Sequence, residues 1–285
     1  IKHASCSEIT NFKYHSHYIS TSKVSPAGLP HFKVNKKDDA ETLVVTLKDE
    51  KDDIFLTLYY TIFKSLNVLV RFSQIKNLSK HEIKIKRLCS LELDSVNKDY
   101  ELISVHGQWG DDRELEKTKV GHSLTVVNDN HGARGFRQNP AIIVKEKEAN
   151  YDYGEVYMCS LLYSGNFKFE VGLDEYDHFR LNALINDNCF EFALKNGETF
   201  DTPECVLVYS NEGINKASQT MHDLVRQYLL PKQFALKERP ILINSWEPFL
   251  FDFDTAKIKK LILDAKELGI KQVVLDDGWF GKRNN

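Results

Sequence analysis

Residues 241–246 (ILINSW) and 270–276 (IKQVVLD) are too apolar to face water on either side, and they bracket DTAKIKKLILDAKELG at 254–269. In that middle stretch Ile258, Leu261, Ile262, Ala265 and Leu268 recur on one helical stripe. Asp254 stands where it can cap the helix N-terminus, and Gly269 where it can close the C-terminus in the left-handed conformation. Strand, helix, strand in so short a span is a βαβ unit, and a parallel sheet needs both of its faces covered. One such unit cannot bury itself. The stretch 240–285 therefore reads as the opening of an α/β domain whose remainder the sequence does not contain.

The preceding two hundred or so residues follow a different grammar. TLVVTLKD (42–49), DIFLTLYYTIF (53–63) and LNVLVRFSQI (66–75) are strand-like, and HEIKIKRLCSLEL (81–93) alternates apolar Ile83 and Ile85 with Lys84 and Lys86. EVYMCSLLYSGNFKFEVGL (155–173) predicts a hairpin around a Ser-Gly-Asn turn, and further strands are expected near 180–185, 189–194 and 204–209. So many short strands predict a large antiparallel sandwich over residues 1–230. It ends in a helix, where Ala217, Met221, Leu224, Val225 and Tyr228 share a face and Asn215 is a plausible N-cap. PKQFALKERP, bounded by two prolines, predicts a linker over 231–239.

Composition narrows the function classes. With 42% hydrophobic and 28% charged residues the chain can build a packed core, and a net charge of −3 makes nucleic acid a poor partner. No apolar run is long enough to span a bilayer, so no membrane partner is expected. Five widely spaced cysteines, Cys6, Cys89, Cys159, Cys189 and Cys205, form no C-x-x-C motif, and four lie in apolar strand-like runs. That pattern predicts reduced thiols in a cytoplasmic protein. His15 and His17 could share one strand face, but two ligands do not make a metal site, and neither a metal nor a cofactor is expected. The opening IKHASCSEIT, without an initiator Met, suggests a fragment or a processed product.

In α/β folds, sites form beyond the carboxyl ends of the strands. The first strand here ends in Ser245-Trp246-Glu247 and the second in Asp276-Asp277-Gly278-Trp279, which puts two tryptophans and several carboxylates on one rim. Adjacent carboxylates leaving one strand point in different directions. They are ill placed to oppose each other across a bond, as the two carboxyl groups of a glycosidase must. They are well placed to accept hydrogen bonds from the hydroxyls of a polar ligand whose apolar face rests on a tryptophan. Taken alone the pair equally suits an Asp capping the next turn, with Trp279 in a core.

RPILINSWEPFLFDF and ELGIKQVVLDDGWFGKRN resemble the start of the catalytic barrel in α-galactosidases of glycoside hydrolase family 36. GEVYMCSLLYSGNF, GETFDTPECVLVYSNEG and SQTMHDLVRQYL are similar to the N-terminal β-supersandwich of that family. The resemblance implies a mainly β fold: an antiparallel β-supersandwich, lacking its own first strands, then a helix, a linker and the first βαβ of a (β/α)8 TIM barrel. It implies retaining hydrolysis of terminal α-galactose from oligosaccharides of the melibiose and raffinose type, in a cytoplasmic tetramer. Asp276 and Asp277 would hold galactose hydroxyls, Trp246 would form pocket wall, and Trp279 would support the pocket. The nucleophile and the acid/base would lie on later strands, beyond Asn285, so this chain is expected to be inactive.

The sequence departs from the family pattern in places. Asn244-Ser245-Trp246-Glu247-Pro248 stands where Asn-Asn-Trp-Glu-Ala is common. In NHGARGFRQNP only Gly132, Gln138, Asn139 and Pro140 fit, and GDDREL after Trp109 fits in part. Two other readings are a stand-alone carbohydrate-binding or assembly sandwich, and a family relative acting on α-N-acetylgalactosamine or transferring galactose.

Overall fold

The computed structural model describes residues 1–34, 39–132 and 137–281, and the chain divides into two compact units, Ile1–Leu230 and Pro231–Asn285. In the first unit a ten-stranded sheet faces a four-stranded one. The large sheet runs, in spatial order, Phe12–Ser20, Ala40–Asp49, Ile54–Phe63, Leu66–Asn77, Cys205–Ser210, Val156–Leu161, Gln138–Glu146, Tyr100–Gln108 and Asp111–Lys119, with Thr199–Asp201 added beside Leu66–Asn77. The small sheet runs Cys89–Val96, His178–Ile185, Phe167–Leu173 and Thr125–Asp129. All pairings in both sheets are antiparallel.

The core between the sheets is built from alternate residues. Phe167, Phe169 and Val171 of the small sheet meet Leu102, Ile142, Val144 and Leu207 of the large one. The other face of the large sheet is covered in its turn: Val206 and Val208 pack with Ala217, Leu224 and Tyr228 of the helical segment. Strand Cys205–Ser210 is thus buried on both faces, which is why it reads as an unbroken apolar run.

Several expectations change in three dimensions. Val156–Leu161 and Phe167–Leu173 are both strands, but they belong to different sheets, so the Ser-Gly-Asn turn carries the chain across the core and makes no hairpin. The 81–93 stretch breaks into Ile83–Ile85, which pairs with Phe192–Leu194, and Cys89–Val96 in the small sheet. Cys189 lies exposed in a turn with φ +59, not in a strand. A bulge between Tyr14 and Ser16 spoils the alternation that would align His15 with His17: His15 packs edge-on against Phe55, and His17 Nδ1 pairs with the Tyr14 hydroxyl at 2.6 Å.

The helix begins at Gly213, two residues before the expected cap at Asn215. Its first amides need no side-chain cap, because Gly213, Ile214 and Asn215 N–H donate to the carbonyls of Gly154, Asn150 and Tyr151. The loop approaches so closely that a Cβ on Gly213 would sit 2.5 Å from the Tyr153 nitrogen, and φ +79 there also demands glycine. Asn215 instead donates from its side chain to Asp152 at 2.8 Å.

Among the described residues one ion pair lies fully inside. Lys23 and Glu204 have side-chain exposures of 2% and 0%. Glu204 Oε2 accepts the Phe32 amide at 2.9 Å, and Lys23 donates also to the Ser25 hydroxyl at 2.9 Å. Burial pushes the Glu204 carboxyl up and the Lys23 ammonium down, and their mutual attraction opposes both shifts. On the small sheet, Arg87 grips Glu170 with two N–H groups and Asp187 at 2.8 Å, and Lys168 also reaches Asp187.

In the second unit, strands Leu242–Asn244 and Gln272–Val274 pair in parallel, joined through helix Thr255–Glu267. Asp254 caps that helix, accepting the Lys257 amide at 2.9 Å, and Gly269 closes it with φ +76. Of the expected buried stripe only Leu261 and Ala265 are buried, while Ile262 is 45% and Leu268 77% exposed. A two-stranded sheet has too little surface to cover the rest. The 231–239 stretch, expected as a linker, clusters with this unit and contains a helical turn, Lys232–Ala235, whose Phe234 and Ala235 amides return to the Pro231 carbonyl.

Two outcomes follow for stability. Lys23→Met or Glu204→Gln alone strands a buried charge and should cost about 3–5 kcal/mol, while the double variant should recover at least half of the larger loss, measured by urea denaturation. A double variant as weak as the sum of the singles would show that the pair is not coupled. Glu170 is held below the usual carboxylate range by Arg87; Asp187, which burial alone would raise, is brought down by Lys168 and Arg87. Both contribute stability above the unfolded carboxylate pKa of about 4, and that stability is lost as pH falls through their lowered values. Arg87→Ala should therefore flatten the acid limb of the stability curve, read as melting temperature between about pH 6 and pH 3.

Candidate functional site at the paired strand ends

The parallel register places Asn244 opposite Val274, so the chain leaves both strands at the same level. Ser245, fully buried, joins the two exits. Its amide donates to the Val274 carbonyl at 3.0 Å, and its hydroxyl oxygen accepts the Asp276 amide at 3.0 Å. Asn244 bridges them a second time: its Nδ2 donates to Asp276 Oδ2 at 2.5 Å, and its Oδ1 accepts the Trp246 amide at 2.9 Å. Trp246 is therefore fixed by the same residue that fixes Asp276.

The two adjacent carboxylates have different situations. Asp276 Oδ1 accepts the Asp277 amide at 2.7 Å, so both of its oxygens are engaged. The Asn244 amide and then the Asp277 N–H hold its carboxyl below the usual range, and it is ionised at neutral pH. Asp277 is exposed, and among the described residues its carboxylate has no hydrogen-bond or ion-pair partner. One carboxylate is locked in place by its neighbours and the other is open.

Aromatic rings flank this rim. Trp246 follows Ser245 into a short helical turn, Trp246–Phe249, and its half-buried ring meets Phe251 edge-on at 5.0 Å. Gly278 has φ +97, and a Cβ there would come within 3.0 Å of the Phe253 ring. Trp279, by contrast, is 67% exposed and packs edge-on against Phe280, not against Trp246 or the carboxylates. The structure thus brings Asp276, Asp277 and Trp246 to one rim and leaves Trp279 outside their bonded cluster. Sequence reasoning missed Asn244 and Ser245 as the residues that organise it. Their signal was position, directly after a buried strand, but only the register shows what they reach.

Of the sequence features noted above, residues 133–136 and 282–285 lie outside the described residues. No group of three His, Cys, Asp or Glu side chains that could hold a metal occurs among the described residues. None of the described helices is long and apolar enough to cross a membrane.

An antiparallel sandwich followed by a parallel strand-helix-strand unit, with carboxylates and a tryptophan at its strand ends, defines the class as a β-sandwich domain preceding the start of an α/β domain. Residues 1–195 match the model of the glycosyl hydrolase family 36 N-terminal domain, and residues 199–285 match the melibiase model. The chain belongs to glycoside hydrolase family 36. It is 39% identical over 279 residues to the α-galactosidase AgaA of Geobacillus stearothermophilus, covering 98% of this chain and 38% of that protein. It is 36% identical over 272 residues to the α-galactosidase Mel36A of Lactobacillus acidophilus, covering 95% of this chain and 37% of that one. The crystal structure of AgaA superposes with a TM-score of 0.95 at 39% identity over 99% of this chain and 39% of its own, and a second AgaA structure, in complex with stachyose, gives the same score at 38% identity. The chain spans less than two-fifths of the length of these curated relatives. Its second unit, within the melibiase match, is the start of a (β/α)8 barrel.

Removing the Asn244 amide should release Asp276. In Asn244→Ala the Asp276 carboxyl should titrate at higher pH than in the parent, whereas Trp279→Phe should leave it in place, as followed by carboxyl-carbon NMR. An Asp276 titration unmoved by Asn244→Ala would show that the amide does not set it.

Proposed function

We propose that the chain is part of an α-galactosidase that removes terminal α-linked galactose from oligosaccharides of the raffinose and melibiose type with retention. In this reading Asp276 and Asp277 hold galactose hydroxyls. The observation that carries it is the division of labour at the strand ends: Asn244 locks Asp276 as an oriented acceptor while Asp277 stays open. An ionised, immobilised carboxylate beside a free one can accept from neighbouring hydroxyls of one sugar ring without reorganising. Trp246, fixed through the same Asn244, supplies an apolar wall for the ring's C–H face. Trp279 supports the rim from outside that cluster.

The same geometry argues against catalysis by this pair. Retention requires two carboxyl groups about 5 Å apart on opposite sides of the scissile bond. Asp276 and Asp277 are consecutive and on one side, so they recognise the sugar and do not cleave it. The nucleophile and the acid/base belong to later barrel strands, and a polypeptide of these 285 residues is inactive by itself. That related α-galactosidase structures hold raffinose and stachyose supports the substrate class. A tetrameric assembly and a cytoplasmic setting complete the reading, the latter supported by an odd number of widely spaced thiols.

A chromogenic α-galactoside separates the two halves of this reading. The intact parent protein should turn it over, and the 285-residue chain should not. In the intact protein, Asp277→Asn should lower kcat/KM by about 10–100-fold, the worth of a hydrogen bond to a charged acceptor. Turnover by the short chain, or an Asp277→Asn parent with unchanged kcat/KM, would overturn the assignment.

A further inference from the structure

Phe251 lies between the two strand exits of the second unit and reaches both. On one side its ring meets Trp246 edge-on at 5.0 Å. On the other side it backs the turn that follows Asp277: a Cβ on Gly278 would stand 3.4 Å from Phe251 Cδ1 and 3.0 Å from Phe253 Cε1. The Trp246 ring and the Asp277-Gly278 turn are therefore kept apart by one aromatic ring that packs against each of them. Gly278, with φ +97, is what leaves that ring its room.

The backbone that delivers the ring is strained. Leu250 has φ +50 and ψ −120, the conformation that glycine normally supplies at the first central position of a type II′ turn. A bulky residue stays there only where its surroundings over-determine it, and such outliers gather at functional sites. Here both ends of the turn are pinned. The Leu250 amide donates to the Trp246 carbonyl at 2.8 Å, and the Asp252 amide closes the turn on the Phe249 carbonyl at 2.9 Å. Lys257, on the helix, donates to the Asp252 carbonyl at 2.8 Å and pairs with the Asp252 carboxylate at 2.9 Å. Leu250 and Phe251 are 52% and 62% exposed, so little apolar burial within this unit offsets the strain. What the strained turn does secure is the place of the Phe251 ring.

We propose that Phe251 is a positioning residue of the strand-end site: its ring sets the gap between the Trp246 wall and the Asp277 acceptor. That gap decides which sugars can rest a C–H face on the one while a hydroxyl reaches the other. Phe251 acts through Trp246 and Gly278, not by touching the sugar. The inference rests on the recognition roles proposed for Trp246 and Asp277.

Two measurements separate the brace from those roles. The first needs no sugar. The chain has three tryptophans, so carrying Trp109→Phe and Trp279→Phe it reports on Trp246 alone. In that background Phe251→Ala should move the indole emission to longer wavelength and make it more easily quenched by acrylamide. Phe251→Tyr, which keeps the ring, should restore both. The second measurement uses the intact parent protein and a chromogenic α-galactoside. Phe251→Ala should raise KM about three- to tenfold, the worth of one edge-on aromatic contact, with kcat within about twofold, and Phe251→Tyr should recover the KM. Phe251→Leu, which keeps apolar bulk without a ring, should show the same KM shift and stands in should Phe251→Ala not fold. Three results would overturn the proposal: Trp246 emission and quenching unmoved by the loss of the ring, KM unmoved although the emission moves, or kcat falling at constant KM, as a merely structural role predicts. A raised KM in Phe251→Ala beside an Asp277→Asn parent of unchanged kcat/KM would overturn only the role of Asp277 and leave Phe251 as the brace of Trp246.

Discussion

The buried pair of Lys23 and Glu204 is the interaction on which the sandwich unit turns. Glu204 immediately precedes the strand Cys205–Ser210, which lies at the centre of the large sheet and between two cores. Through Lys23 and the Phe32 amide, one carboxylate fixes the 23–32 loop against that strand. Phe32 is thereby seated in the core that the helix covers. Two residues earlier, Thr202 exchanges bonds with Ser73, its amide donating to the Ser73 carbonyl and its hydroxyl oxygen accepting the Ser73 amide. The Thr-Pro-Glu motif is thus a pair of polar anchors set just ahead of an apolar strand. A buried ion pair is a weak source of net stability, but it has one satisfactory geometry, and a strand seated one residue out of register would leave both charges stranded.

Much of this fold was legible in the sequence because β-branched and aromatic residues concentrate in the strands. Ala40–Asp49, Ile54–Phe63 and Leu66–Asn77 stand out as runs rich in Val, Leu, Thr and aromatic residues. What failed were features decided at a distance. A Ser-Gly-Asn turn looks alike whether the next strand returns to its neighbour or crosses to the opposite sheet, and Phe167–Leu173 crosses. The strand Asp111–Lys119 carries the residues of a solvated helix, and it is a strand because an exposed sheet edge tolerates, and is protected by, a row of charges. The helix start moved from Asn215 to Gly213 because carbonyls from a loop some sixty residues earlier in the chain cap it better than any local side chain.

The strand-end site divides along the same line. Asp276, Asp277 and Trp246 could be picked out because residue type and position after an apolar strand suffice to nominate them. Asn244 and Ser245 could not, since each acts by reaching across to the other strand, and the reach depends on which residues the parallel register sets level. The two aspartates also looked equivalent in sequence. They differ because one is the acceptor of two local donors and the other of none among the described residues.

The order of strands in the large sheet has a kinetic side. Phe12–Ser20 through Leu66–Asn77 form a meander of sequence neighbours, but Leu66–Asn77 finds its next partner only in Cys205–Ser210, near the end of the unit. Closing so long a loop must precede the reward of burial, which makes the topology slow to assemble. During synthesis the meander would emerge with the edge of Leu66–Asn77 unpaired and its apolar faces bare until Val206 and Val208 are available to dock. That interval, more than any weakness of the finished sandwich, is when the chain is most exposed to wrong pairing.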